Sequence, residues 1–208
     1  MAYVLGYFAA DGCMSKTKRG THFIEFVSTD IELISKTRSL LQSNHKISLR
    51  KQKSPKWKIG YRLQIGSKEM YDDLIRLGFT PAKSMNLTFP AIPLEFVHHF
   101  IRGYFDGDGH VSIAHYFRKN RNKNSVTIIT GFTSGSKQFL DSLHKSLKRF
   151  AEISGGSLCY SSGYRLTFSV NDSKKIHDYL YSEANDLFLT RKKRVFEHYF
   201  NLVSGPVV

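Results

Sequence analysis

Two aspartates carry the chemistry of this sequence. Asp11 closes Val4-Leu5-Gly6-Tyr7-Phe8-Ala9-Ala10-Asp11-Gly12, and Asp108 closes Ile101-Arg102-Gly103-Tyr104-Phe105-Asp106-Gly107-Asp108-Gly109. They lie 97 residues apart (108 minus 11), about half the chain, which marks an internal duplication. Read as helices, the copies carry small residues at i and i+4, Gly6 with Ala10 and Gly103 with Gly107. Such residues share a face, and a face without bulky side chains lets two helix backbones approach closely. Packing the two faces together gathers the terminal carboxylates. Two carboxylates that close repel unless a cation lies between them, and a hard divalent ion with oxygen ligands is the usual solution. An Asp-Gly pair after one helix is ordinarily only a terminus, with glycine in the left-handed backbone that stops it. Here the duplication reverses those odds.

The elements that position the acids repeat with them. After each motif the pattern gives a hairpin, a helix, a second hairpin and a further helix. In the first half the hairpin runs through 13–28 around Gly20-Thr21, and Thr29-Asp30 caps a helix from Ile31. Alternation returns at 47–50 and 57–65, and Ser67 caps a helix that turns Met70, Leu74 and Leu77 inward and stops at Gly78. In the second half the same order falls at 110–133, 136–153, 157–170 and 173–182. Gly60-Tyr61-Arg62-Leu63 returns as Gly163-Tyr164-Arg165-Leu166 at an offset of 103 (163 minus 60), which implies a net insertion placed in the basic loop 118–124. Tyr61 and Tyr164 are expected in the core. Prolines at 81, 90 and 93 exclude a continuous element between the halves, and Pro93 suits the first turn of the second motif helix. The expected divisions are 1–83, a linker at 84–93, and 94–208. The fold class is α/β: two pseudo-symmetric αββαββα halves, each with an antiparallel four-stranded sheet, and paired motif helices at their interface.

Charge points to the partner. With 31 Lys and Arg against 17 Asp and Glu the net charge is +14, which favours a polyanion. No basic amphipathic helix with a large apolar face and no long apolar run suggests a membrane partner. Cys13 and Cys159 have no zinc-like spacing and are expected as free thiols. With no leader visible, an intracellular, reducing setting is expected, cytoplasm or organellar matrix.

Strand alternation assigns a binding face. With Met14, Ile47, Leu49, Leu63 and Ile65 inward, the first half presents Ser15, Thr17, Arg19, Ser48, Arg50, Gln52, Arg62 and Gln64. With Val111, Ile113, Leu166, Phe168 and Val170 inward, the second presents Ser112, Ala114, Tyr116, Arg118, Arg165, Thr167 and Ser169. Arg, Gln, Ser and Thr are the side chains that read base edges in a major groove. Together the rows form a β-saddle for double-stranded DNA, and because they differ, the preferred site is long and asymmetric. His98 and His99, adjacent on the motif helix, face different directions and are not expected to bind metal.

The two motifs resemble those of the single-chain LAGLIDADG homing endonucleases. The glycine, the aromatic-apolar pair and the final Asp-Gly recur in both copies, while the earlier acid is present only as Asp106, with Ala9 in its place in the first copy. The resemblance implies Mg²⁺, for which Ca²⁺ or Mn²⁺ substitutes, held by Asp11 and Asp108 with the carbonyls of Ala10 and Gly107. It also implies a lysine after the last helix of each half, matching Lys83 and Lys192. The implied activity is site-specific double-strand cleavage by a monomer with an internal pseudo-two-fold. Two alternatives share the resemblance: a maturase that binds intron RNA as a splicing cofactor, and a non-cleaving DNA-binding regulator.

Overall fold

The computed structural model describes residues 1–50, 54, 58–119 and 122–204, with the backbone alone of Lys123. The first half runs α1 (Ala2–Asp11), β1 (Gly12–Lys16), β2 (His22–Ser28), α2 (Ile31–Leu40), β3 (Ile47–Arg50), β4 (Gly60–Gly66) and α3 (Lys68–Arg76). The second repeats this as α4 (Val97–Asp108), β5 (Gly109–Arg118), β6 (Lys123–Ser134), α5 (Lys137–Phe150), β7 (Ser157–Tyr160), β8 (Tyr164–Phe168) and α6 (Val170–Tyr181), and adds α7 (Thr190–Ser204). The sheets are antiparallel, in strand orders β1-β2-β4-β3 and β5-β6-β8-β7. The expected αββαββα halves are therefore present, as two four-stranded antiparallel sheets.

Local chemistry explains the elements. Ile24 and Phe26 alternate into the core from β2, and Leu140, Leu143 and Leu147 recur at helical spacing on the buried face of α5. The Ser67 side chain accepts from Met70 N and that of Ser136 from Phe139 N, satisfying N-terminal donors of α3 and α5. Gly78, at φ +88°, ends α3 in the left-handed region. Matching edge-to-face pairs, Phe8 on Phe26 at 5.7 Å and Phe105 on Phe132 at 5.4 Å, seat each motif helix on its own sheet.

Several expectations need correction. Leu49 shares the face of Ile47 but is 68% exposed, because edge strand β3 extends beyond the cover of the helices. Leu77 is 40% exposed, since α3 buries only Tyr71 and Leu74, and Tyr61 and Tyr164 are half-buried at the margin of the core. Pro93 precedes a 3₁₀ turn at Leu94–Phe96, and the motif helix starts only at Val97. α6 starts at Val170 after Ser169, three residues before the expected start, so Val170 is helical. The insertion is not confined to a loop: Gly12 pairs with Phe26 and Gly109 with Phe132, so the offset grows from 97 (109 minus 12) to 106 (132 minus 26) within the hairpin. Five of those nine residues lie in β5, ten residues long against five in β1.

Candidate functional site

The contact between α1 and α4 depends on absent side chains. A Cβ at Gly6 would overlap the Phe100 carbonyl oxygen and lie 2.9 Å from Tyr104 N; one at Gly103 would overlap the Tyr3 oxygen and lie 2.9 Å from Tyr7 N. These clashes are reciprocal, as a pseudo-two-fold between the motif helices requires. Further along, a Cβ at Gly107 would overlap that of Ala10 and lie 3.2 Å from Asp11 Oδ2. The Asp11 carboxylate thus sits against the last turn of the helix that ends in Asp108.

Gly12 and Gly109 end the helices differently from the expectation. Both are extended, at φ −75°, ψ 150° and φ −83°, ψ 159°, so a left-handed stop is not why glycine is there. Each helix passes straight into its strand, and a Cβ at either glycine would run into the ring of Phe8 or Phe105.

Electrostatics mark the acids as a pair. Asp11 keeps a solvent-exposed edge, yet burial of its carboxyl and then repulsion from Asp108 raise its pKa to about 7, against the attraction of Lys192 and Lys83. Burial also raises Asp108, with the same two lysines opposing. Lys83 and Lys192 are themselves buried. Lys83 Nζ lies 3.4 Å from Ala10 O, and its pKa is lowered, by burial first. Lys192 Nζ donates to the carbonyls of Phe105 (2.5 Å), Asp106 (2.9 Å), Gly107 (3.2 Å) and Gly109 (2.6 Å), and burial lowers it to about 8. The residues brought together are therefore those expected: two acids, two carbonyls and two lysines. In this state the carbonyls of Ala10 and Gly107 face ammonium groups. Two crowded carboxylates with raised proton affinity, sharing one rim with two backbone carbonyls, fit a hard divalent cation.

The acids open onto the outer face of the sheets. Asp108, Thr133, Cys159 and Arg165 line one polar recess there, and Thr133 Oγ1 donates to Asp108 O at 2.8 Å. Ser15, Arg50, Ser112, Tyr116 and Arg165 are exposed on the face as expected, and Thr167 is half-buried there. Thr17 and Arg19 are exposed but lie in the turn beyond β1, and Ser169 lies beyond β8 as the N-cap residue of α6. Ser48 hydrogen-bonds Arg62, while Arg62 and Gln64 are also drawn to Glu25, at 3.6 and 3.3 Å. Arg118 is stacked over Tyr116 and donates to its hydroxyl. Gln52 lies outside the described residues. Residues of the second strands share this face and were missed, among them Phe23, Glu25, Thr127 and Ile129; their register partners Ser15, Gln64, Ala114 and Ser112 carry the same alternation signal. His98 and His99 are not turned apart: their rings lie 3.9 Å apart, and His99 Nδ1 meets Arg102 Nη2 at 2.6 Å. Among the described residues no group of three or more His, Cys, Asp or Glu forms a metal cluster, and no helix is long and apolar enough to cross a membrane.

The family model of the LAGLIDADG-like domain matches residues 1–76 and 95–176, one span on each half. The chain belongs to this family. A relative by sequence is the probable translation initiation factor IF-2 of Methanocaldococcus jannaschii, 29% identical over 180 residues. That match takes in 83% of this chain but 13% of the relative, so the chain spans about an eighth of its length. Among solved LAGLIDADG structures, the meganuclease I-CpaMI bound to uncleaved DNA aligns over 97% of this chain and 90% of its own, at TM-score 0.63 and 11% identity. The homing endonuclease I-LtrWI bound to target DNA aligns over 97% and 88%, at 0.58 and 14%. Variants of the homing endonuclease I-DmoI align over 95% and 96%, at 0.61 and 16%. At these identities the likeness is one of fold.

Proposed function

We propose that this chain is a site-specific double-strand DNA endonuclease of the homing type, acting as a monomer at a long, asymmetric site. The observation that carries the reading is the paired ends of α1 and α4, where Asp11 and Asp108 meet beside two buried lysines. A protein that only clamps DNA has no physical need for four such groups on one cluster, whereas a splicing cofactor for intron RNA could also cut and keep them. Asp11 and Asp108, with the Ala10 and Gly107 carbonyls, would hold Mg²⁺, for which Mn²⁺ or Ca²⁺ substitutes in the site. A divalent ion bound there supplies a nucleophilic water at neutral pH and charge stabilisation for the leaving oxygen. The residues themselves supply the rest. Lys192, lowered to about 8, exchanges a proton near neutral pH at a buried, fixed position, and Lys83, whose pKa burial also lowers, stands at the centre from the other half. The sheet rows orient the duplex across both acids.

The test starts from a randomised duplex library incubated with Mg²⁺, from which cleaved sites are recovered. On the selected site, Asp11→Asn or Asp108→Asn should lower cleavage roughly a thousand-fold or more while DNA affinity stays within about threefold. Persistent cleavage by the double variant would remove the proposed centre. A parallel splicing assay on intron RNA reads the maturase alternative.

A further inference from the structure

The two lysines of the centre are held very unequally. Lys192 Nζ is ringed by four carbonyls, whereas Lys83 Nζ reaches Ala10 O at 3.4 Å, the outer limit of a hydrogen bond. The segment leading to Lys192 is fixed residue by residue. Arg102, fully buried, donates to Leu180 O and Leu187 O at 2.8 Å each, and Asp106 Oδ2 accepts from Leu189 N at 2.8 Å. From the first half, Lys36 Nζ donates to Phe188 O at 2.6 Å, and the Glu32 carboxylate accepts from Thr190 N at 3.3 Å and from its hydroxyl. Asp30 accepts two hydrogen bonds from Arg191, at 2.9 and 2.8 Å. Glu32 thus serves the N-terminal donors of α7 from 158 residues away, at the end of a helix that favours an anion.

The duplicated half lacks these groups. At the motif offset, Arg102 and Asp106 correspond to Leu5 and Ala9. Asp30 and Ser136 are the N-cap residues of α2 and α5, so Glu32 corresponds to Gln138. Every charged member of the set has a neutral counterpart: Asp30 has Ser136, Glu32 has Gln138, Arg102 has Leu5 and Asp106 has Ala9.

We infer that Asp30, Glu32, Arg102 and Asp106 form a clasp across the two halves that positions Lys192, so that the strand served by Lys192 is cut before the strand served by Lys83. The inference rests on the endonuclease reading. A group already fixed in place needs no ordering when substrate arrives, whereas a loosely held one must be ordered each time. The clasp members are positioning residues; none touches the acid pair through a hydrogen bond.

The experiment follows nicking of a supercoiled plasmid carrying the selected site, with each strand end-labelled separately. Lys192→Met and Lys83→Met assign a strand to each lysine. Wild type should accumulate circles nicked in the Lys192 strand. Asp30→Asn with Glu32→Gln should slow that strand roughly tenfold and leave the other within about twofold, abolishing the order. The exchange Asp30→Arg with Arg191→Asp should restore part of the bias lost in Asp30→Arg alone. Equal slowing of both strands, no slowing, or unbiased cutting by wild type would overturn the inference. Acetylation of free protein with trace anhydride, read by mass spectrometry, gives an arm independent of cleavage. Labelling of Lys192 should rise several-fold relative to Lys83 in Asp30→Asn/Glu32→Gln, and unchanged labelling would overturn the clasp. A wild type that cuts no DNA fails the endonuclease reading, while labelling still decides the clasp.

Discussion

Asp11 shows how much one carboxyl reports about the site. It keeps its proton to about pH 7, chiefly through burial and then through Asp108, whereas an aspartate in an unfolded chain titrates at about 3.9. The folded state therefore holds an extra proton between roughly pH 4 and pH 7. The stability linked to that proton is fully present below pH 4 and is lost as pH rises through 7, when the anion must be carried beside Asp108. Asp11→Asn carries no such charge. In chelator, the melting difference between wild type and Asp11→Asn should be smallest near pH 4 and widen as pH rises towards 7, and by pH 8 the wild type should melt lower. Adding Mg²⁺ at pH 8 should raise wild type and leave Asp11→Asn nearly unmoved; a gap that ignores both pH and Mg²⁺ would break the link between this carboxyl and a cation. The acids could be read from the sequence because duplication makes them visible. The clasp could not: Asp30, Glu32 and Thr190 are ordinary polar residues until folding brings together positions 158 apart.

At the scale of elements, the site exists because two helices approach as closely as backbones allow. Gly6→Ala and Gly103→Ala would each drive a methyl into a carbonyl of the facing helix, so each should destabilise by about 3 kcal/mol, the upper range for overpacking. Gly20→Ala is the control: its φ of +85° imposes backbone strain of only about 1 kcal/mol, and nothing lies within 4 Å of the added carbon. Urea unfolding of the three variants reads the difference, and equal losses would mean the helix contact is looser than described. Gly6, Ala10, Gly103 and Gly107 made this contact legible in the sequence, and period-two alternation made the strands legible. What stayed hidden depends on distant partners. The N-terminal donors of α7 are served by Glu32 from the other half, and only the family resemblance, not residue spacing, pointed to Lys192, which lies on the buried face of α7 with Phe196 and Tyr199. Leu49 was misread because alternation gives the face of a strand but not whether a helix covers its end.

For the molecule as a whole, the surplus of +14 favours a polyanionic partner, and the outer face of the sheets is the proposed place for it. Arg50 and Arg165 are exposed there and Arg118 is half-buried over Tyr116, while Glu25 draws Arg62 and Gln64 and locally lowers the charge of the first half. The two halves therefore differ in charge on this face, and on the proposed reading they would offer a duplex different contacts. Each phosphate neutralised on B-DNA releases counterions and contributes about −0.9 to the slope of log affinity against log salt. If the saddle engages six to ten phosphates, affinity should fall by roughly 10³ to 10⁵ between 50 and 200 mM salt. Fluorescence polarisation with the selected duplex, in Ca²⁺ and at several salt concentrations, measures that slope. Exchanging Arg165 for Gln should flatten it by about one contact if that side chain meets a phosphate, and should instead relax preference at one base pair if it reads an edge. A flat salt response in wild type would place the basic surplus elsewhere on the surface, and the outer face of the sheets would lose its claim to the duplex even if the acids still bound a cation.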